Sequence, residues 1–185
     1  MIKEVGGLKL KLHFCSVYKI ALSLIAVIGL TGFSNEKIQQ VPIEKAPVFT
    51  AVSLTGDTVS IERLRGNIVL VDFWASWNQP SRKNNQTTLK LYEKYRASSL
   101  RKKKKFIVVQ VSLDTRENLW RTAIIKDNLY WKTHICDFKG WSSPFVAHYQ
   151  FKRIPTNILI DTAGNVIARD IWESRLDSAL AVWMP

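Results

Sequence analysis

The segment that decides the fold is Val69–Arg82, which reads V-L-V-D-F-W-A-S-W-N-Q-P-S-R. It overlaps a nearly unbroken apolar run, Asn67–Trp74, of the kind found in central strands that are covered on both faces. The residues that follow favour a helix start. Asn78 and Ser81 carry side-chain oxygens that can accept first-turn N–H bonds, and Pro80 suits that turn. The segment therefore predicts a buried strand, a short loop and a capped helix.

Strands and helices alternate on both sides of this segment. Gly56-Asp57 separates two β-patterned stretches, Phe49–Leu54 and Thr58–Ile61, which predicts a hairpin near an edge. The other predicted elements are a helix through Leu89, Leu91, Tyr92 and Tyr95, a strand at Phe106–Leu113, a helix at Glu117–Lys126, a short strand at His134–Cys136, a helix near Ser143–Tyr149, a hairpin of Thr156–Asp161 and Val166–Arg169, and a helix at Glu173–Trp183. This order predicts a three-layer α/β domain.

Four stretches of the chain resemble the TlpA/ResA-like thiol-disulfide oxidoreductases, a thioredoxin-fold family related to the peroxiredoxins (AhpC/TSA). They are residues 46–66, the loop segment above, V-S-L-D at 111–114, and Y-Q-F-K-R-I-P-T-N-I-L-I-D-T-A-G-N-V-I-A-R at 149–169. The resemblance covers residues 46–185. It implies a thioredoxin-like fold with a central mixed sheet, helices on both faces and an N-terminal β-hairpin.

The same resemblance shows what the loop lacks. A thioredoxin-type loop would read W-A-x-W-C-x-P-C-R, so Asn78 and Ser81 stand where the family has its two redox cysteines. In such a loop the helix dipole and the free first-turn N–H groups stabilise a thiolate, and turnover needs the second sulfur. An amide and an alcohol neither ionise near pH 7 nor exchange with a disulfide. The sequence therefore predicts no catalytic residue here and a redox-inactive protein.

Two classes of function remain open at this stage. The first is a peptide-binding or protein-binding module whose site would comprise Trp77, Asn78, Gln79, Pro80, Ser81, Ile154 and Pro155. The resemblance implies a cis-proline at Pro155, which would expose the backbone of Ile154 to an extended peptide, although a strand-entry proline without a partner is equally compatible with the sequence. The second is the thiol-disulfide oxidoreductase or peroxiredoxin-like antioxidant activity that family membership implies. A peroxidase would need a cysteine near the same helix start, and none occurs between Cys15 and Cys136.

Other candidate groups favour structural roles. Asp72 matches a buried acid that serves the inner sulfur in thioredoxins, and without that sulfur we expect a hydrogen-bonded core carboxylate. Cys136 and His134 would share a face of a strand, but nothing near them supplies the cationic setting of a thiolate, so Cys136 is expected to be a small buried group. The histidines have no metal-ligand spacing, and neither a metal nor a cofactor is predicted.

The first 45 residues differ in character from the rest. Lysines at positions 3, 9, 11 and 19 precede Ile20–Phe33, a run of fourteen uncharged residues. That length suits a secretory signal peptide better than a membrane span of about twenty residues, and small residues around Ser34 favour cleavage there. Residues 1–34 are therefore a predicted signal peptide and residues 35–45 a linker, with an uncleaved anchor from Phe14 as the alternative. Both place the domain in the periplasm or elsewhere outside the cytoplasm.

The net charge is +12, and +9 without residues 1–34, which hold four lysines and Glu4. The run Arg101–Lys105 carries five positive charges. It would attract anionic lipid, polyanion or nucleic acid, or it is a solvated loop that guards a strand edge. No aromatic residues interleave with it, which favours the solvated loop. The expected partner is therefore an extended peptide or envelope protein, not nucleic acid, and a membrane only if the N-terminal segment stays uncleaved.

Overall fold

The computed structural model describes residues 44–99 and 104–184. The predicted signal peptide and almost all of the predicted linker lie outside these residues. Within the two described ranges, none of the helices combines the length and the apolar character that a membrane span requires.

The elements follow the predicted order. They are β1 Thr50–Val52, β2 Thr58–Ser60, β3 Ile68–Trp74, α1 Gln79–Ser99, β4 Phe106–Ser112, α2 Glu117–Lys126, β5 His134–Cys136, α3 Pro144–Tyr149, β6 Thr156–Ile160, β7 Val166–Arg169 and α4 Glu173–Trp183, with 3-10 turns at Glu62–Leu64 and Gly140–Ser142. The predicted helices α2 and α4 have the observed bounds, whereas the predicted strand Phe49–Leu54 pairs only over Thr50–Val52.

The strands form two sheets. The main sheet has the order β5-β4-β3-β6-β7, in which β3 runs parallel to β4 and antiparallel to β6. The strands β1 and β2 form a separate antiparallel hairpin. The sheet is therefore mixed and the hairpin is N-terminal, so the predicted thioredoxin-like architecture is confirmed.

Burial of the central strand fixes how the layers pack. Every residue of β3 is buried, and its side chains alternate between two apolar clusters. Ile68, Leu70 and Trp74 face the cluster that contains residues of α1, α2 and α4. Val69, Val71 and Phe73 face the cluster that contains residues of the hairpin and of α3. The sheet is thus covered on both faces.

Strand register brings four chain segments to one end of the sheet. Trp74 pairs with Ser112, and Ser112 with Cys136, so the last residues of β3, β4 and β5 are neighbours. Phe73 pairs with Thr156, the first residue of antiparallel β6. The loop after β3 and the segment before β6 therefore meet at this end, where the sequence places the candidate site.

The N-terminal boundary of the described fold is tied down by backbone bonds. The carbonyl of Glu44 accepts a hydrogen bond from the N–H of Val166 at 2.9 Å, and the N–H of Ala46 donates to Gly164 O at 3.0 Å. The carboxylate of Glu44 also pairs with Arg169. Residues 44 and 45, the end of the predicted linker, thus already contact the β6–β7 hairpin.

Candidate functional site

The loop after β3 passes directly into α1, and Asn78 is the residue that closes this transition. Its Oδ1 accepts the N–H of Ser81 at 2.8 Å, and its carbonyl accepts the N–H of Arg82 at 3.1 Å. Both bonds satisfy donors that a helix start leaves free. Pro80 lies in the same first turn, where its missing N–H costs nothing. The prediction that Asn78 caps the helix is confirmed.

Ser81 does not cap the helix, and that part of the prediction is wrong. Its side chain is 1% exposed, and its Oγ has no hydrogen-bond partner among the described residues. The reason is its position within the first turn, on the buried face of α1, one helical turn before Asn85. The residue at the place of the inner cysteine is therefore a small polar group enclosed in the core.

A buried polar cluster of Asp72, Asn85 and Gln110 lies between β3, β4 and α1. The Gln110 Nε2 donates to Asp72 Oδ2 at 2.9 Å and to Asn85 Oδ1 at 2.7 Å. All three residues are at most 1% exposed. Asp72 is thus the hydrogen-bonded core carboxylate that the sequence favoured. Gln110 is the member of this cluster that was not predicted, although a polar residue inside the run F-I-V-V-Q-V-S indicates a buried partner.

The acidity of Asp72 is set by its burial. Loss of hydration raises the pKa of the carboxyl from 3.8 to about 7, and the hydrogen bond from Gln110 opposes that rise. Asp72 Oδ1 and Asn85 Nδ2 have no partner among the described residues. The cluster therefore favours a protonated, neutral Asp72 below pH 7.

A second network holds the loop from the side of β4. The buried carboxylate of Asp114 accepts hydrogen bonds from the Ser76 N–H at 2.9 Å, the Ser76 Oγ at 2.5 Å and the Ser112 Oγ at 2.6 Å. Arg82 donates to Ser76 O at 3.3 Å and forms an ion pair with Asp127. The loop is therefore fixed by hydrogen bonds to both its backbone and a side chain, none of which involves sulfur.

The Ile154-Pro155 dipeptide faces the start of α1. Its peptide bond is cis, as the resemblance implied. The Asn78 Nδ2 donates to Ile154 O at 3.5 Å, so one hydrogen bond links the loop to the dipeptide. The N–H of Ile154 has no partner among the described residues. Of the residues predicted for the site, the structure thus brings Asn78 and Ile154 into contact.

The two tryptophans of the loop have different surroundings. Trp74 is completely buried, because it is the last core-facing residue of β3. Trp77 is 53% exposed. Gln79 and Pro80 are also exposed. A flat aromatic surface and a polar helix start therefore face solvent beside the dipeptide.

Cys136 and His134 do not form a nucleophilic pair. Burial raises the pKa of the Cys136 thiol to about 11, and its Sγ donates to Asp114 O at 3.4 Å. Burial lowers the pKa of His134 to about 4, and the ring stacks on Trp131 while its Nε2 bonds to Leu129 O. Among the described residues there is no group of three potential metal-ligating His, Cys, Asp or Glu side chains.

Comparison with known proteins identifies the family. Residues 66–166, more than half of the chain, match the family described as thioredoxin-like. The chain belongs to the thioredoxin-like family. This thioredoxin-like chain is 27% identical over 157 residues to the thiol-disulfide oxidoreductase ResA of Bacillus cereus, covering 83% of the chain and 85% of the relative. It is also 27% identical over 149 residues to the thioredoxin-like protein YneN of Bacillus subtilis, with 76% and 81% covered.

Solved structures agree with this assignment. A thiol-disulfide oxidoreductase from Bacteroides fragilis is 36% identical, with a TM-score of 0.66 over 75% of this chain and 98% of that chain. The thioredoxin domain of a thiol-disulfide oxidoreductase from Bacteroides vulgatus is 28% identical, with a TM-score of 0.67 over 77% and 96%. The chain therefore has the fold of the thiol-disulfide oxidoreductases, with an amide and an alcohol at the loop positions described above.

The first prediction concerns the buried carboxyl of Asp72. The folded protein keeps this proton up to about pH 7, whereas an unfolded chain releases it near pH 4. The contribution of Asp72 to the stability of the fold therefore decreases as the pH rises from 4 to 7. The difference between the folded and the unfolded pKa of Asp72 corresponds to a loss of unfolding free energy on the order of 4 kcal/mol. The variant Asp72→Asn cannot ionise, so we expect its stability relative to the parent to rise from pH 4 to pH 7 and then stay constant.

Denaturant unfolding across this pH range measures the effect. The unfolding free energy of the variant is compared with that of the parent at each pH, because His134 titrates in the same range in both proteins. The lowered pKa of His134 makes the fold less stable as the pH falls from 6.5 to about 4, which is opposite to the effect of Asp72. Asp57→Asn removes a carboxyl at an exposed turn and is the control for the loss of one surface charge. A difference for Asp72→Asn that does not change with pH would contradict the assignment.

Proposed function

We propose that this protein is a redox-inactive member of its family that binds an extended peptide or an envelope protein. The observation that carries the proposal is the state of the two former sulfur positions. The side chain of Asn78 caps the helix by a hydrogen bond, and Ser81 is buried in the core. Neither group can attack a disulfide, because neither forms a nucleophilic anion near pH 7.

The remaining cysteines do not supply the missing nucleophile. The sequence contains only Cys15, which lies before the apolar N-terminal run, and Cys136. At pH 7 the thiolate fraction of Cys136 is negligible, since burial raises its pKa to about 11. A single thiol within residues 46–185 also has no second sulfur to resolve a mixed disulfide.

Peptide binding is supported by the groups around the Ile154-Pro155 dipeptide. Trp77 offers a half-exposed aromatic surface, and the N–H of Ile154 is available to a carbonyl of an added extended chain. We call this proposed peptide-binding surface the groove around Trp77; Gln79 and Pro80 would border it, and Asn78 would line it through its amide. Ser81 is too deeply buried to touch a peptide. The restraints from Asp114 would keep this surface ordered before binding, which lowers the entropic cost of association.

Thiol-disulfide oxidoreductase activity is the alternative function. It is favoured by the names of the relatives from Bacillus and Bacteroides. A peroxiredoxin-like antioxidant activity belongs to the same alternative. Both require a thiolate, so an assay of thiol chemistry separates them from the proposed function.

The compartment forms part of the proposal. Four lysines precede Ile20–Phe33, which is a run of fourteen uncharged residues. This pattern supports export to the periplasm or another extracytoplasmic location. There the chain would meet extended segments of exported proteins. Contact with a membrane would arise only if the N-terminal segment remained attached.

The second prediction is binding without reduction. When the chain is mixed with a dithiol donor and an unfolded polypeptide that contains a disulfide, we expect the chain to bind the polypeptide. Reduction of the polypeptide's disulfide is expected to stay at the uncatalysed rate. Fluorescence anisotropy of the labelled polypeptide measures binding, and the mass increase of the polypeptide after acid quenching and alkylation measures how many of its own thiols have been formed. We expect Trp77→Ala to weaken binding about fivefold or more, because aromatic residues dominate such contacts.

The matched control is Ile125→Ala, which removes an apolar side chain that is 77% exposed on α2. It is expected to bind as the parent does. If Trp77→Ala binds the polypeptide as tightly as the parent does, the surface around Trp77 is not the binding site. Catalysed thiol release would refute redox inactivity, and repeating the assay with Cys136→Ser would show whether that thiol is responsible.

The third prediction concerns export. Expressed in a Gram-negative host, the chain is expected in the periplasmic fraction with an N-terminus near Asn35, because the apolar run has the length of a signal peptide. Fractionation followed by N-terminal sequencing measures this. A full-length, membrane-bound chain would instead support the anchor, and a full-length soluble chain in the cytoplasm would refute export.

A further inference from the structure

A second concave surface lies at the end of the sheet opposite the candidate site. It is a cleft of about 390 Å³ between α1, the start of β4 and the segment before β5. We call it the basic cleft, and its defining residues are Tyr92, Arg96, Lys105, Tyr130, Trp131 and Lys132. Because β3 spans seven residues, the two ends of the sheet are roughly 20 Å apart. The basic cleft is therefore separate from the groove around Trp77.

The cations of this cleft have no acidic partner. Arg96, Lys105 and Lys132 are exposed and form no ion pair with any described residue. Lys94, on the same helix as Arg96, pairs with Asp177 instead. The nearby carboxylate of Glu93 accepts a hydrogen bond from the Tyr130 hydroxyl at 3.4 Å. Three cationic residues therefore line a concave surface beside a nearby carboxylate, that of Glu93.

Aromatic rings form the wall of the cleft. Tyr92 packs edge-on against Tyr130 and Trp131, with ring centroids 5.6 Å and 5.4 Å apart. The guanidinium of Arg96 lies 5.7 Å from the centroid of the Tyr130 ring. These rings come from α1 and from the segment before β5, so they are absent from the sequence around Lys105. Of the basic run, Lys104 and Lys105 lie within the described residues, and Lys105 lines the cleft with these rings although none of them interleaves with the run in sequence.

The geometry distinguishes between possible anionic partners. Trp131 is only 4% exposed, and the guanidinium of Arg96 lies over the ring of Tyr130, which leaves little open ring face on which a nucleotide base could stack. A bilayer is bound by protruding aromatic side chains, whereas these rings line a recess. A recess with a cationic rim suits the separate acidic side chains of an extended polypeptide, whose carboxylates reach the cations.

We propose that the basic cleft binds an acidic, extended segment of a partner protein. Carboxylates of that segment contact Arg96, Lys105 and Lys132, and its aliphatic atoms pack against Tyr130. This surface acts independently of the groove around Trp77, so a partner can engage it whether or not the groove is occupied.

The test uses the full chain and a fluorescein-labelled decapeptide of alternating glutamate and valine. Fluorescence anisotropy at low salt is expected to show binding, and the same peptide with glutamine in place of glutamate is expected to bind about tenfold more weakly or worse. Higher salt is expected to weaken the binding of the acidic peptide, because exposed charges are screened. The double variant Arg96→Gln/Lys132→Gln is expected to lose about tenfold or more in affinity.

Lys83→Gln/Lys90→Gln is the matched control, since it removes two exposed charges from α1 outside the cleft. It is expected to keep its affinity within about twofold. Thermal unfolding checks that both double variants fold, and Lys105→Gln/Lys132→Gln serves as a second pair. Equal affinity for the glutamine peptide, or an equal loss in the control, would overturn the proposal. Tighter binding of a single-stranded oligonucleotide or of anionic phospholipid vesicles than of the acidic peptide would overturn it as well.

Discussion

Burial of β3 on both faces is the constraint from which the candidate site follows. The strand lies between parallel β4 and antiparallel β6, and each large apolar side chain that it buries contributes roughly 1.5–3 kcal/mol. Because successive side chains point to opposite faces, Asp72 must lie on the face covered by α1. There Gln110 is its partner, and Asn85 completes the cluster. The end of the same strand sets where the loop begins and which segments surround it.

The helix start after β3 is stabilised without sulfur chemistry. Asn78 supplies the cap, Asp114 binds both the backbone and the hydroxyl of Ser76, and the Arg82–Asp127 pair closes the opposite side. The bonds of Ser76 and Arg82 hold the loop and the start of α1, and thus the direction of the helix dipole, without the side chains at positions 78 and 81. The absence of cysteine at positions 78 and 81 is therefore compatible with an ordered surface beside Ile154. This separation of scaffold from chemistry is what makes a binding role physically consistent.

The sequence predicted those features that depend on local pattern. The apolar run ending at Trp74 identified the central strand, and the predicted bounds of α2 and α4 match the observed ones. The Ile154-Pro155 position came from the family resemblance. Asn78 was predicted as a cap because its residue type and its place before a helix were sufficient evidence.

Contacts between distant segments were not predictable in the same way. Ser76 meets Asp114 across 38 positions, and Arg82 meets Asp127 across 45, so no short window of sequence contains both partners. Ser81 was misassigned because its residue type suits a cap, whereas its orientation toward the core depends on how α1 packs on the sheet. The aromatic wall beside Lys105 was missed for the same reason, since its rings come from two other elements.

The most direct test of this account restores the sulfurs. In the double variant Asn78→Cys/Ser81→Cys, made with Cys136→Ser, the new thiols are expected to close a disulfide under mild oxidant. The thiol at position 78 is expected to titrate below the ordinary cysteine pKa of about 8.5, because it lies at the positive end of the helix dipole. A redox titration and the pH profile of the alkylation rate measure both properties, with Lys90→Cys/Glu93→Cys as a pair of equal spacing inside α1. If the thiols at 78 and 81 never pair and titrate like the control pair, the loop does not have the geometry described.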